Sequence, residues 1–166
     1  MTCQMFRVLP FATALLLAAC SHIASQEAKP PKQCTNAGPC AIEIVVDANN
    51  CNNSTVNFPE VHFPQRVNGK PNERILVEWT ILQKDAYGFC PQSIVGDGVY
   101  LKGSDTYNQF EFKGFGNGSG NAPCNRKTVK LEAQNTVSGQ KYEYKIQFHT
   151  QDGTKSCLID PVMFND

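Results

Sequence analysis

The clearest pattern in the chain lies in its last third, where Tyr142, Tyr144, Ile146 and Phe148 alternate strictly with Glu143, Lys145, Gln147 and His149. A period of two turns one set toward a core and the other toward water, so this stretch predicts a half-buried antiparallel strand, with His149 on its solvent-facing side. Just upstream, Val129, Leu131 and Ala133 alternate with Lys130, Glu132 and Gln134, and Val137-Ser138-Gly139-Gln140 turns the chain between the two strands. Asp152-Gly153 predicts a hairpin turn into a closing strand within Cys157–Phe164, where Pro161 suits a sheet edge or bulge.

The same alternation recurs earlier. Ile42, Ile44 and Val46 share one face of a first strand over Ala41–Asp47, and Ala48–Ser54 is turn chemistry. Pro59 and Pro64 interrupt Val56–Val67, which predicts an edge strand or a kinked pair. Asn68-Gly69 turns the chain into a central strand over Arg74–Leu82, with Ile75, Val77, Trp79 and Ile81 on one face; Trp79 belongs in the core rather than on a sugar-stacking surface. Gly96-Asp97-Gly98 sits between apolar flanks as a tight hairpin or bulge, and Phe110 and Phe112 alternate with Glu111 and Lys113 in a further short strand. Seven or eight short strands and no helical spacing predict an all-β domain, a single antiparallel-rich β-sandwich of immunoglobulin-like or cupredoxin-like layout stapled by disulfides.

The N-terminus carries a different pattern. Arg7 precedes an almost unbroken apolar run from Val8 to Ala19, shorter than the roughly 20 residues a spanning helix requires. Ala18-Ala19 supplies the small side chains of a signal-peptidase site. Leu17-Ala18-Ala19-Cys20 resembles the lipobox of bacterial lipoproteins, a resemblance confined to residues 1–20. It implies that 1–19 is a signal peptide, and that the Cys20 thiol is diacylated and becomes the first residue of the mature protein. Two or more acyl chains anchor stably where one does not. The residue after the cysteine is Ser21 rather than the Asp of inner-membrane retention, which implies the outer membrane with the domain facing the periplasm. Were translation to start at Met5, the signal would be tidier and Cys3 would vanish; either way Cys3 is outside the mature protein. Residues 20–39, with Lys29-Pro30-Pro31-Lys32, read as a tether, and 40–166 as the β-domain. In an exported bacterial protein the Asn52 and Asn53 sequons are loop residues rather than glycan sites. The ending Asp160-Pro161-Val162-Met163-Phe164-Asn165 resembles the Asp-Pro-Val-x-x-Asn close of small uncharacterised bacterial β-sandwich proteins, which carries no function with it.

Charge and cysteine content narrow the possibilities. Lys and Arg number 15 and Asp and Glu number 15, with the signs interspersed, so nothing steers the chain toward nucleic acid or anionic lipid. Setting Cys3 and Cys20 aside leaves Cys34, Cys40, Cys51, Cys90, Cys124 and Cys157, an even set that reads as three disulfides in an oxidising compartment. No Cys-x-x-Cys is present to suggest a zinc knuckle or a redox motif. The loop positions favour Cys90 with Cys124. Cys40 and Cys157, each just before a strand, would meet if the first and last strands ran parallel, which leaves Cys34 with Cys51.

Candidate chemistry is sparse. A blue-copper site needs two His and a Cys with a weak axial ligand, usually Met. His149, Cys157 and Met163 are in the wrong order for it, with His62 the only further imidazole in the domain. Gly114–Gly120 is glycine-rich but lacks the Lys-Ser/Thr of a phosphate loop. Asp97, Asp105 and Glu111 are available as acids or bases, yet their spacing orients no pair. The expectation is therefore a non-enzymatic binding or structural module without cofactor or metal, recognising an envelope protein or small ligand through the loop Tyr107 to Pro123, where Phe110 and Phe115 accompany the glycines. A copper or other metal carrier and a small envelope hydrolase are the alternatives.

Overall fold

The computed structural model describes residues 30–64, 74–83, 85–91, 97–105, 108–116, 118 and 121–165. The expected signal peptide over 1–19, Cys20, Asn68-Gly69, Gly96 and Tyr107 lie outside them.

The predicted long strand is the axis of the molecule. It runs as β10 (Gln140–Thr150) into the Asp152-Gly153 turn, where Gly153 has φ +76° and Asp152 Oδ1 accepts from the backbone N–H and hydroxyl of Thr154. The chain returns antiparallel along β10 as β11 (Ser156–Ile159) and β12 (Val162–Asn165). One register serves both, with Ile146 opposite Ile159 and Glu143 opposite Val162; Asp160-Pro161 merely interrupts the ladder, as an imide without an N–H must. On β10's other side lie β6 (Tyr87–Gly88) and β7 (Gly98–Leu101). Beyond β12 come β4 (Glu60–Phe63) and β1 (Lys32–Gln33), completing a sheet of seven strands.

The second sheet has five, in the order β3 (Thr55–Val56), β2 (Cys40–Val45), β5 (Ile75–Ile81), β9 (Thr128–Ala133), β8 (Phe110–Phe115). The alternating residues of β5 face the other sheet, and Ile75, Val77, Trp79 and Ile81 are all buried. Trp79 meets Tyr144 edge-on across the gap, its indole N–H donating to the phenol oxygen at 3.3 Å. Burial pushes the Tyr144 hydroxyl well above the usual phenol range, because the phenolate would have to shed its water there.

The domain is all-β, as the periodicity predicts, but three features differ from the expectation, the first being twelve strands among the described residues rather than seven or eight, because several are too short to show a period. Both sheets are mixed: β2–β5, β1–β4 and β4–β12 pair in parallel. The cause is the path of the chain, since β4 leaves for the opposite sheet between β3 and β5, so β2 and β5 become neighbours running the same way. The sheet also begins earlier than residue 40, because Lys32 and Gln33 of the expected tether pair with Val61 and His62. No helix among the described residues is long and apolar enough to cross a membrane.

All six domain cysteines pair, as Cys34–Cys40, Cys51–Cys157 and Cys90–Cys124. Only the last matches the expected partners. Cys40 opens β2 in one sheet while Cys157 lies on β11 in the other, so the two never meet. Cys157 is instead reached by a 3-10 turn at Cys51–Asn53, which docks on β11 through the Leu158 N–H to Asn52 Oδ1 bond of 3.0 Å. Cys34, held by its N–H to the His62 carbonyl at 2.9 Å, is left beside the start of β2.

Candidate functional site

The residues weighed as copper ligands do not converge. Met163 lies opposite Tyr142 on β10, whereas His149 is seven residues farther along the same strand, a separation of roughly 23 Å at the usual rise. Cys157 is committed to Cys51, and His62 stacks on Phe164 with Nε2 at 2.6 Å from Glu60 Oε1. The three carboxylates proposed as acids or bases also go separate ways. Asp105 caps its own loop, accepting from the Phe110 N–H at 2.8 Å. Glu111 is exposed in a surface network with Lys113 at 2.8 Å and Arg74 at 3.8 Å, which holds its carboxyl below the ordinary value.

Asp97 is different, and so is His149. His149 stands near the end of β10 opposite Gly88, on the face that alternation assigns to solvent. The prediction fails there because other chain segments cover that end of the strand. Phe89 and Arg126 form an antiparallel bridge, and the Cys124 N–H reaches the Gln151 carbonyl at 3.2 Å. Gly88 permits this approach: a Cβ at that position would collide with the Cys124 backbone carbonyl. Asp97, immediately before β7, then closes the site. Its Oδ2 accepts from the Cys90 N–H at 2.6 Å, and its Oδ1 lies 2.7 Å from His149 Nδ1. The Asp97 side chain is fully buried and that of His149 is 13 % exposed. Burial raises the Asp97 carboxyl above its usual value, opposed by the Cys90 N–H and by His149.

Beside this pair sits the Cys90–Cys124 disulfide. One ligand-type atom from each of Cys90, Asp97, Cys124 and His149 falls within 4.8 Å of the other three. Among the described residues no other group of three or more His, Cys, Asp and Glu side chains gathers in this way. No sequence pattern announces the constellation. Its members come from four segments with no motif spacing, the two cysteines read simply as a staple, and the one weak signal was Asp97 held between two glycines.

The expected recognition loop is only partly a loop. Phe110–Phe115 is β8, an edge strand paired on one side by β9, with a bulge between Phe112 and Gly114 where Gly114 takes φ +97°. Phe110 and Phe115 pack on the core, against Tyr142 and Phe89 respectively. Gly118 bridges to Arg126 and the Gly116 N–H bonds to the Thr128 carbonyl, so these two glycines are tied to the sheet, while Asn117, Ser119 and Gly120 lie outside the described residues. What remains at the surface is Phe112, 52 % exposed and in edge contact with Phe115. It lies over the rim where β7 and β8 border the gap between the sheets, and a Cβ on Gly98 would touch its ring.

Neither a protein-family model nor a curated protein matches the chain.

Proposed function

We propose that this is a lipid-anchored protein of the bacterial cell envelope, held in the outer membrane through Cys20 with its domain in the periplasm, and that the domain is a non-enzymatic binding or structural module. The two mixed sheets carry the module, and the separation of His149 and Met163 along β10 argues against a copper carrier. Phe112 is the observation that carries the binding role. Among the described residues it is the most exposed of the large apolar side chains, and aromatics supply large contact area at interfaces. The exposed face of this module therefore centres on β8 rather than on the glycines that follow it. The partner is an envelope protein or small ligand with an apolar contact patch.

The test is capture from solubilised membranes by the lipidated protein and by its Phe112→Ser variant. Because Phe112 is only half-buried, the substitution is expected to cost about 1 kcal/mol of stability or less, leaving the fold intact while capture falls at least several-fold. Equal capture by the variant would remove β8 as the contact surface.

A further inference from the structure

We propose that the Cys90–Cys124 disulfide is the oxidised form of a metal site, and that on reduction Cys90, Cys124, His149 and Asp97 bind a single zinc-class divalent cation.

The composition of the cluster specifies the ligand chemistry. Two thiolates, an imidazole and a carboxylate are the donor set of a tetrahedral zinc site, with sulfur and nitrogen favouring a borderline-soft ion over calcium or magnesium. The required contraction is small, because all four donor atoms already lie within 4.8 Å of one another. In a tetrahedral site with Zn–S bonds of about 2.3 Å, the sulfurs stand about 3.8 Å apart, a separation reached once the S–S bond no longer joins them. Among the described residues only Cys90–Cys124 has both a carboxylate and an imidazole beside it.

The state of Asp97 and His149 points the same way. Asp97 Oδ1 and His149 Nδ1 are both buried and face each other at 2.7 Å, with no further hydrogen-bond partner for either atom. A buried carboxylate–imidazole pair is costly to desolvate for a fold that needs only a staple there. It is the arrangement expected of two ligands converging on a common ion. The ligands are also positioned without the disulfide: His149 by the β10–β6 ladder, Cys90 by the Asp97 bond to its N–H, Cys124 by its N–H to Gln151 and by the Phe89–Arg126 bridge. Opening the S–S bond therefore leaves the cluster assembled.

The chemistry balances with a dithiol reductant. The Cys90–Cys124 bond accepts two electrons and two protons and becomes two thiols, while the reductant's two thiols become its disulfide. Zn²⁺ then displaces both thiol protons to solvent as it binds, and a disulfide oxidant that withdraws two electrons re-forms the S–S bond and expels the ion. The site is thus gated by the thiol–disulfide state of its surroundings.

The experiment titrates Co²⁺, as a spectroscopic stand-in for zinc, into the full chain under anaerobic conditions. The oxidised protein, the phosphine-reduced protein and a Cys124→Ala variant are compared. The variant needs no reductant and keeps the other two disulfides closed, so it covers the case in which full reduction unfolds the domain. The reduced protein is expected to show a thiolate-to-cobalt charge-transfer band at one ion per chain, displaced by zinc and absent from the oxidised form. Cys124→Ala is expected to show a weaker, one-thiolate band. Adding His149→Ala should lower affinity by more than the roughly 10- to 100-fold that losing an outer-shell partner costs. A band in either protein that depends on His149 supports the site. No band in both, or one indifferent to His149, overturns it.

Discussion

Replacing Cys51 and Cys157 together by alanine should destabilise the domain more than removing either other disulfide, because the cost of losing a cross-link scales with the length of chain it restrains. The three bridges join residues 106, 34 and 6 apart for Cys51–Cys157, Cys90–Cys124 and Cys34–Cys40. On the chain-entropy relation these restrict the unfolded ensemble by about 4.8, 3.8 and 2.2 kcal/mol respectively at 25 °C. Total stabilities of single domains are of order 5–15 kcal/mol, so losing the first bridge removes a large share. Cys51 and Cys157 are both completely buried, and the lost sulfur packing adds to the same side. Urea unfolding followed by the fluorescence of Trp79, the single tryptophan and a fully buried one, reads the difference directly. Free energies extrapolated to water should be compared rather than midpoints, since an uncrosslinked unfolded chain exposes more surface and changes the slope. If Cys34→Ala/Cys40→Ala costs as much as Cys51→Ala/Cys157→Ala, the assignment of the long-range staple is wrong.

Two further outcomes test the packing. Gln109, 1 % exposed, accepts from the Thr136 N–H at 2.8 Å and the Val137 N–H at 3.2 Å while donating to the Thr136 hydroxyl at 2.8 Å. Gln109→Leu removes these bonds, and because Thr136 is exposed and Val137 half-buried, water takes up part of the loss, so it should cost about 1 to 2 kcal/mol in urea; a loss below about 0.5 kcal/mol would contradict that role. Tyr144 keeps its proton in the folded state far above the unfolded value, so the stability it contributes is fully present below about pH 10 and declines as pH rises beyond it, by about 1.4 kcal/mol per unit. Between pH 10 and 11 the slope of stability against pH should be shallower in Tyr144→Phe by that one ionisation, and equal slopes in the two proteins would contradict it.

How much of this was legible in the sequence depended on the length over which a pattern could repeat. β5, β9 and β10 alternate over enough positions for period two to be unmistakable, and their inward faces are those the alternation named, with Tyr142 half-buried at the end of the set. Two-residue strands such as β1, β3 and β6 offer no period at all; they exist because neighbours lend them a ladder. Parallel pairing was hidden for a related reason, since alternation fixes which face is buried but not which strand lies alongside. His149 is the instructive failure. Its polar face is real, but the segments around Phe89, Asp97 and Cys124 cover most of that end of β10 and leave the His149 side chain 13 % exposed. The site was therefore present in the sequence as separate residues of the right types and absent as a pattern.

The central claim, that a lipid at the N-terminus carries a fully cross-linked β-domain, reduces to one intact-mass measurement. The protein is extracted from membranes of the cells that make it, denatured without reductant in the presence of a thiol alkylator, and weighed whole. The account predicts a chain beginning at Cys20, heavier by a diacylglyceryl group with or without a further acyl chain, and with no alkyl adduct beyond the two that an opened Cys90–Cys124 bridge would give. A chain cut elsewhere and bearing no lipid, or one carrying more than two alkylated thiols, would contradict it.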